Sequence, residues 1–334
     1  MSRGSSIGTA FPVADPALDT SLRLRLEAVE ELLLQSVKSE YPFVSETSSH
    51  LLVAGGKRFR PLLTLLGAHF GDPEASGVVP AAVVVELTHL ATLYHDDVMD
   101  EAVLRRGAQS ANARWGNTVA ILTGDFLFAR ASDLLADLGP ECVRIQARTF
   151  ERLVHGQIRE TVGAEEGADT VAHYLRVIGD KTASLIATSG RFGALLGGAD
   201  DAVVGHVTRY CERIGMAFQL SDDLLDIVGD STEFGKTPGT DLREGIHTLP
   251  VLYALRSGDP ADARLHDLLA TDFDDDARHA ETLALLRAHP AMREAHDDLV
   301  RCAEDARAAL EPLPDVPSRA VFESLCDYVV ARTV

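Results

Sequence analysis

Cysteine is scarce in this chain, with four residues at 142, 211, 302 and 326. No two form a CxxC pair, and none has a Cys or His neighbour at metal-ligand spacing, so reduced, partly buried thiols are expected. Basic charge is also short. Lys and Arg number 31 against 51 Asp and Glu, which leaves a net charge of −20 and a pI near 4.9. That balance excludes the basic face a nucleic-acid binder needs. It does not exclude an anionic substrate, because metal ions or a local cation cluster reverse the sign inside one pocket. No run of 18 apolar residues exists. The nearest, residues 78–94, is interrupted by Pro80, Glu86 and His89 and does not read as a membrane span. The N-terminal residues lack a basic start followed by a long apolar stretch, so no secretory signal is read and a cytoplasmic location is expected. Alternating strand patterns are missing too, as is any strand–helix alternation.

What the chain does have is helical periodicity. It is 46% hydrophobic over 334 residues, enough for a sizeable core. Leu22, Leu26, Val29, Leu33 and Val37 step by three or four, one face of an amphipathic helix. Ala- and Leu-rich segments follow at about 58–70, 77–104, 116–137, 141–161, 169–197 and 200–228, with Gly or Pro mostly between them. The pattern predicts an all-α fold, a single large helical bundle. Residues 1–15 read as a flexible tail and 16–334 as one catalytic domain. Residues 229–247 hold four glycines, one proline and many polar groups, and predict a long functional loop.

Two acidic clusters of the form DDxxD stand inside apolar helical segments: Asp96, Asp97 and Asp100, then Asp222, Asp223 and Asp226. On a helix, residues i and i+4 lie about 40° apart around the axis and one turn apart along it. Asp96 therefore projects beside Asp100, and Asp222 beside Asp226. Crowded carboxylates repel unless a cation neutralises them. One such cluster alone reads equally well as a solvated acidic face. Two, each ending an apolar helix, point to Mg²⁺, which takes one or two carboxylates and fills its other positions with water and phosphate oxygens.

The cations complement this. Lys57, Arg58 and Arg60 stand at a predicted helix start in GGKRFRP, and Arg105-Arg106-Gly107 follows the first cluster. Lys181 and Thr182 open another helix, and Lys236 lies in the glycine-rich loop. Each alone reads as a surface cation. Together, in so acidic a chain, they suggest two anion sites, one reached through metal and one by direct Lys and Arg contact.

From about residue 18 onward the sequence resembles the trans-isoprenyl diphosphate synthases. The matching stretches are GGKRFRP (55–61), ELTHLATLYHDDVMDEAVLRRG (86–107), GDFLFARA (124–131), GQ (156–157), GDKTASL (179–185), FQLSDDLLD (218–226) and GKTPGTDLREG (235–245). The resemblance implies antiparallel helices around a deep central cavity, a homodimer, and about three Mg²⁺ per site. It implies that Asp96, Asp100 and Asp222 ligate metal, with Asp97, Asp223, Asp226 and Lys181 in the catalytic set. Lys57, Arg60, His89 and Arg106 would bind isopentenyl diphosphate. Arg105, Lys181, Thr182, Gln219 and Lys236 would contact the allylic diphosphate. One departure stands at Gly245-Ile246-His247-Thr248, where the family commonly has a lysine and this chain offers only His247 as a substitute.

Product length, in this family, depends on bulk below the first cluster. Thr92 and Ala91 lie four and five residues before Asp96, and Thr88 one turn deeper; none is aromatic. An open wall is expected there, with Phe150 and Val154 as the floor and a product of about C30 to C50, at roughly one isoprene unit per 5.4 Å turn. A quinone side chain would be its use, and product release could involve peripheral membrane contact. A C15–C20 synthase is the nearest alternative. A terpene cyclase would lack the GGKRFRP cations, and an HD-type metal phosphohydrolase would leave the second DDxxD unexplained.

Overall fold

The structure is a computed structural model and describes residues 13–229, 238–271, 273 and 275–333. Most of the predicted N-terminal tail, and Lys236, lie outside these residues. Helices run in the order α1 (Pro16–Ser36), α2 (Pro42–Val53), α3 (Phe59–Ala68), α4 (Val78–Met99), α5 (Ala111–Trp115), α6 (Asn117–Leu138), α7 (Pro140–Val162) and α8 (Thr170–Ile178). A π-turn over Gly179–Ala183 leads into α9 (Ser184–Leu196) and α10 (Asp201–Val228). Then come α11 (Thr240–Arg243), α12 (Leu249–Arg256), α13 (Ala263–Leu269), α14 (Asp276–Ala288), α15 (Ala291–Leu310) and α16 (Pro317–Ala331). Among the described residues the strands are two-residue pieces, β1 (Leu104–Arg105) and β2 (Ala108–Gln109). The fold is all-α, as the periodicity requires.

The chain forms two compact units. The first comprises Met1–Phe150, Leu185–Cys211 and Pro312–Phe322. Its first helix starts because Asp15 accepts the Leu18 N–H at 2.7 Å and Pro16 occupies the first turn. The predicted stripe is its buried face, with Leu22, Val29 and Leu33 fully buried, each worth roughly 1.5–3 kcal/mol. At the centre lies α4, packed against α1, α3 and α6. Its apolar residues surround the axis, so it suits a buried position on every side. By length and composition it could cross a bilayer (mean hydropathy 1.3 over 18 residues), yet 67% of that window is buried inside the protein. Tyr94 ties α4 to α2. Its hydroxyl donates to Thr47 O at 2.5 Å and accepts from Leu51 N at 3.2 Å.

The second unit comprises Glu151–Ser184, Glu212–Glu311 and Glu323–Val334. Its core gathers Ile227, Leu242, Val251, Leu265, Leu283 and Leu286 from α10 to α14. Asp169 caps α8 by accepting from Val171 and Ala172 at 3.0 and 3.1 Å.

Candidate active site

In the first unit, the cations of GGKRFRP meet the middle of α4. Arg58 is buried, and its guanidinium binds Glu30 of α1 and, at 3.1 Å, Glu86 of α4. Arg60 follows in the first turn of α3, with its Nε buried and without a hydrogen-bond partner. Burial pushes the Arg60 guanidinium down to about 10, with Arg106 adding to the effect and Glu86 opposing it. Burial likewise holds the His89 imidazole well below its usual range, reinforced by Arg60, Arg106, Arg105 and Arg58, so it stays neutral. Arg106 reaches the same neighbourhood, donating to Leu51 O at 2.9 Å and to Gly55 O. Gly56 makes room, since a methyl there would stand 2.6 Å from Arg58 Nη1 and 3.0 Å from Arg106 Nη1. Lys57 is exposed. Three guanidinium groups thus face two carboxylates, and a buried donor lacks an acceptor. This is a pocket whose charge balance calls for an anion.

The first aspartate cluster closes α4, and its three carboxylates differ. Asp96 is half-buried and Asp100, the C-cap, is exposed. Asp97 is fully buried; Arg105 Nε donates to its Oδ1 at 2.5 Å, while its Oδ2 has no partner. Burial raises the Asp97 carboxyl above its ordinary value and Arg105 pulls it back. Arg105 is presented by the β1–β2 hairpin, whose two-residue turn, Arg106-Gly107, has φ of 53° and 75°. Among the described residues the non-glycine positions with positive φ are Arg58, Glu101 and Arg106, all beside this cluster or the cation pocket.

The second cluster, on α10 in the second unit, divides its labour. Asp222 is about half exposed, and Arg332, beyond the end of α16, donates to it at 2.6 Å. The same guanidinium bonds Ser221 Oγ at 2.6 Å and Phe218 O at 2.9 Å. Asp223 is buried, with Gln219 Nε2 donating to one oxygen at 2.8 Å and the Tyr174 hydroxyl to the other. Gln219 in turn accepts from Thr182 Oγ1 at 3.0 Å. Asp226 accepts the N–H groups of Thr240 and Asp241 at 3.2 and 3.1 Å, capping α11. Lys181 pairs with Glu160 of α7. Arg332, Tyr174, Glu160, Glu86 and Glu30 were not anticipated from sequence.

The donor sets suit a hard divalent cation. They are all oxygen, carboxylates stand one turn apart, and Asp97 keeps an orphaned buried oxygen. Among the described residues no three His, Cys, Asp or Glu side chains form a ready-made cage. A cation that draws its remaining ligands from water and phosphate fits such a site.

Burial pushes the Asp223 carboxyl up from 3.8 to about 7, with Asp222 and Asp226 adding and the Tyr174 and Gln219 hydrogen bonds opposing. A carboxyl whose pKa is higher folded than unfolded holds its proton more tightly in the folded state. Its contribution is therefore full below 3.8 and is lost as pH rises towards 7. In chelator, the melting-temperature advantage of the native protein over Asp223→Asn is expected to shrink between pH 4.5 and 7 by roughly 4 °C or more. An advantage that grows with pH would contradict this.

The expected chain-length wall looks different in the structure. Ala91 and Thr88 have no accessible surface. At Thr88 the amide of Gln146 of α7 crosses to donate to the hydroxyl at 2.7 Å. Thr92 is the part-exposed member of the set. Phe150 and Val154, expected as the floor, are 37% and 40% exposed. Phe150 stacks edge-on against Phe128 at 4.6 Å. His247 is exposed, just before α12.

An all-helical chain with two carboxylate pairs and a buried cation pocket has the architecture of the isoprenoid synthases. The polyprenyl synthetase profile matches residues 41–286, and the chain belongs to that family. It is 50% identical over 329 residues to a nonaprenyl diphosphate synthase of Mycobacterium tuberculosis, covering 98% of each chain. Among solved structures it is similar to a geranylgeranyl pyrophosphate synthase from Corynebacterium glutamicum complexed with calcium and isoprenyl diphosphate. That match has TM-score 0.88 and 44% identity, over 96% of this chain and 99% of that one. It is also similar to a decaprenyl diphosphate synthase from Rhodobacter capsulatus, with TM-score 0.87 and 37% identity over 95% and 99% of the two chains.

Proposed function

We infer that this chain is a trans-prenyltransferase that condenses isopentenyl diphosphate with an allylic diphosphate to build a long all-trans polyprenyl diphosphate. The observation that carries the reading is that the chain holds both acidic clusters and a buried cation pocket, the clusters suited to a diphosphate bound through metal and the pocket to one bound directly. Lys57, Arg60, His89 and Arg106 hold isopentenyl diphosphate directly, and neutral His89 can donate one hydrogen bond there. Arg105, Lys181, Thr182, Gln219 and Lys236 contact the allylic diphosphate. Asp96, Asp100 and Asp222 are the metal ligands for about three Mg²⁺, which when bound supply Lewis-acid neutralisation of the leaving diphosphate. The allylic C–O bond breaks, with Lys181 and Arg105 stabilising the departing charge. The double bond of isopentenyl diphosphate attacks the allylic carbon, a C–C bond forms, and the released diphosphate takes the lost proton. Apolar helix walls keep water from the cation.

The product is assigned to about C30 to C50, for a quinone side chain, in line with the nonaprenyl and decaprenyl relatives. A C15–C20 product is the second reading, favoured by the complete burial of Ala91 and Thr88. The exposed apolar residues Ile121 and Leu122 of α6 and Val143 and Phe150 of α7 support a homodimer that covers them. The protein is assigned to the cytoplasm, with peripheral membrane contact for product release.

Incubating the purified protein with labelled isopentenyl diphosphate, a C15 primer and Mg²⁺ tests the reading, and failure to form any longer lipid rejects it. Chromatography of the same product sets its length. Ala91→Phe is expected to cut the product to about C15–C20 and to cost about 1–3 kcal/mol of stability, because the ring enters a site already packed. A parent-length product from that variant would remove Ala91 from the path of the tail.

A further inference from the structure

The residues that hold Lys181 in place form a stripe along α7. Arg152, Gly156 and Glu160 recur every four residues and so share one face of that helix. Over this face lies the π-turn Gly179–Ala183, a widened turn of a kind concentrated at functional sites. Each member of the stripe meets a different part of it. Arg152 donates to Asp180 at 3.0 Å, to the Gly179 carbonyl at 3.2 Å and to Glu212 of α10 at 2.8 Å. Arg159 adds a second guanidinium on Asp180. Glu160 receives the Lys181 ammonium. Gly156 meets the backbone itself, for a methyl at its Cα would stand 2.5 Å from Lys181 N, 2.9 Å from its Cα and 3.0 Å from its Cβ.

Two carbonyls of the widened turn meet side-chain donors. The Gly179 carbonyl accepts from Arg152, and the Asp180 carbonyl accepts from Ser184 Oγ at 2.6 Å. Two residues beyond Asp180, Thr182 is tied through Gln219 to Asp223 on α10. The turn is therefore clamped at Gly179 and Asp180, seated at Lys181 and tethered at Thr182. Only the seat has no adjustable side chain, because its neighbours there are backbone atoms and Lys181 Cβ.

We propose that Gly156 is a positioning residue for Lys181, and that the Arg152–Gly156–Glu160 face of α7 is the saddle that sets where Lys181 and Thr182 present their polar groups to the allylic diphosphate. This rests on the assignment of Lys181 to that diphosphate. A methyl at Gly156 drives the Lys181 backbone outward by a large part of an ångström, carrying the ammonium and the Thr182 hydroxyl with it. The cation pocket around Arg60 and His89 belongs to other helices, so isopentenyl diphosphate binding is untouched.

The test is a double-mutant cycle on the full chain in Mg²⁺, with Michaelis constants measured separately for the two substrates. Gly156→Ala is expected to lower kcat/KM for the allylic diphosphate about 10- to 100-fold, the usual cost of misplacing a binding group by about 1 Å. KM for isopentenyl diphosphate should change by less than about twofold. In the Lys181→Ala background, the loss caused by Gly156→Ala should fall to a small part of its value in the native protein, the remainder running through Thr182, since the lysine that carries most of it is already removed. Equal losses on both substrates, or full additivity with Lys181→Ala, would overturn the proposal. If Lys181→Ala alone leaves the allylic KM unchanged, the assignment of Lys181 is what fails. Thermal melting checks folding. Should Gly156→Ala melt far below the native protein, Asp180→Asn loosens the same turn without added volume and is expected to give the same substrate split and the same non-additivity. An even effect on both substrates from that variant overturns the proposal as well.

Discussion

Asp96→Ala or Asp222→Ala is expected to lower turnover by about 10³-fold or more while the protein still melts within a few degrees of the native one. Each removes an assigned metal ligand, and Lewis-acid stabilisation of a leaving diphosphate is worth several kcal/mol, with about 1.36 kcal/mol for each tenfold in rate. The fold should tolerate both changes. Asp96 is half-buried at the end of α4, one turn from the Asp100 carboxylate, which repels it. Loss of Asp222 leaves Arg332 its bonds to Ser221 and Phe218. The check is turnover against Mg²⁺ concentration, together with calorimetric titration of Mg²⁺ in the presence of inorganic diphosphate. Near-native activity in either variant would refute the site. Asp223→Ala should behave differently, because both its oxygens are occupied by Tyr174 and Gln219. It should lose stability first and activity as a consequence.

Arg60→Ala is expected to lower kcat/KM for isopentenyl diphosphate by about 10²-fold, with the allylic KM within about threefold. A charge-assisted hydrogen bond to a phosphate contributes about 1.5–3 kcal/mol, and more where the group is shielded from water. The buried, unpartnered Nε of Arg60 is in that position. Lys57→Ala should have the smaller effect, since an exposed lysine remains hydrated and screened. Stability should not fall with Arg60→Ala, because Glu86 keeps Arg58 as its partner. Steady-state kinetics with each substrate varied in turn decides the matter, and equal losses on both would contradict the division into two diphosphate sites.

The long helices were legible because their apolar residues repeat at helical spacing, as in Leu22, Val29 and Leu33 of α1. The aspartate clusters were legible because two copies of one motif stand in apolar surroundings. Other features depend on contacts no local pattern records. The polar stretch Ser45–His50 does not announce a helix, yet α2 forms, held by the Tyr94 hydroxyl from α4. The hairpin at Arg105 has two-residue strands, too short to show alternation. Arg332 reaches Asp222 across 110 residues of sequence. The different fates of Asp222, Asp223 and Asp226 could not be read from spacing, because the motif is the same whether an oxygen faces solvent, a tyrosine or a helix N-terminus. The partner of Thr88 is Gln146, a residue of another helix with no distinguishing local context.

Arg58, Glu101 and Arg106 all occupy left-handed backbone, where a side chain costs about 1–2 kcal/mol that glycine does not incur. Glu101 is exposed and sets an added negative charge after the C-terminus of α4, where the helix dipole disfavours it. Selection for thermal stability alone would therefore pull this position towards glycine, while selection for charge beside Asp100 would pull it back. A library sorted only by heat resistance should enrich Glu101→Gly. Arg58 and Arg106 are held in the same backbone region by their contacts with Glu86 and the Leu51 carbonyl, so of the three left-handed side chains Glu101 is the one to change for stability.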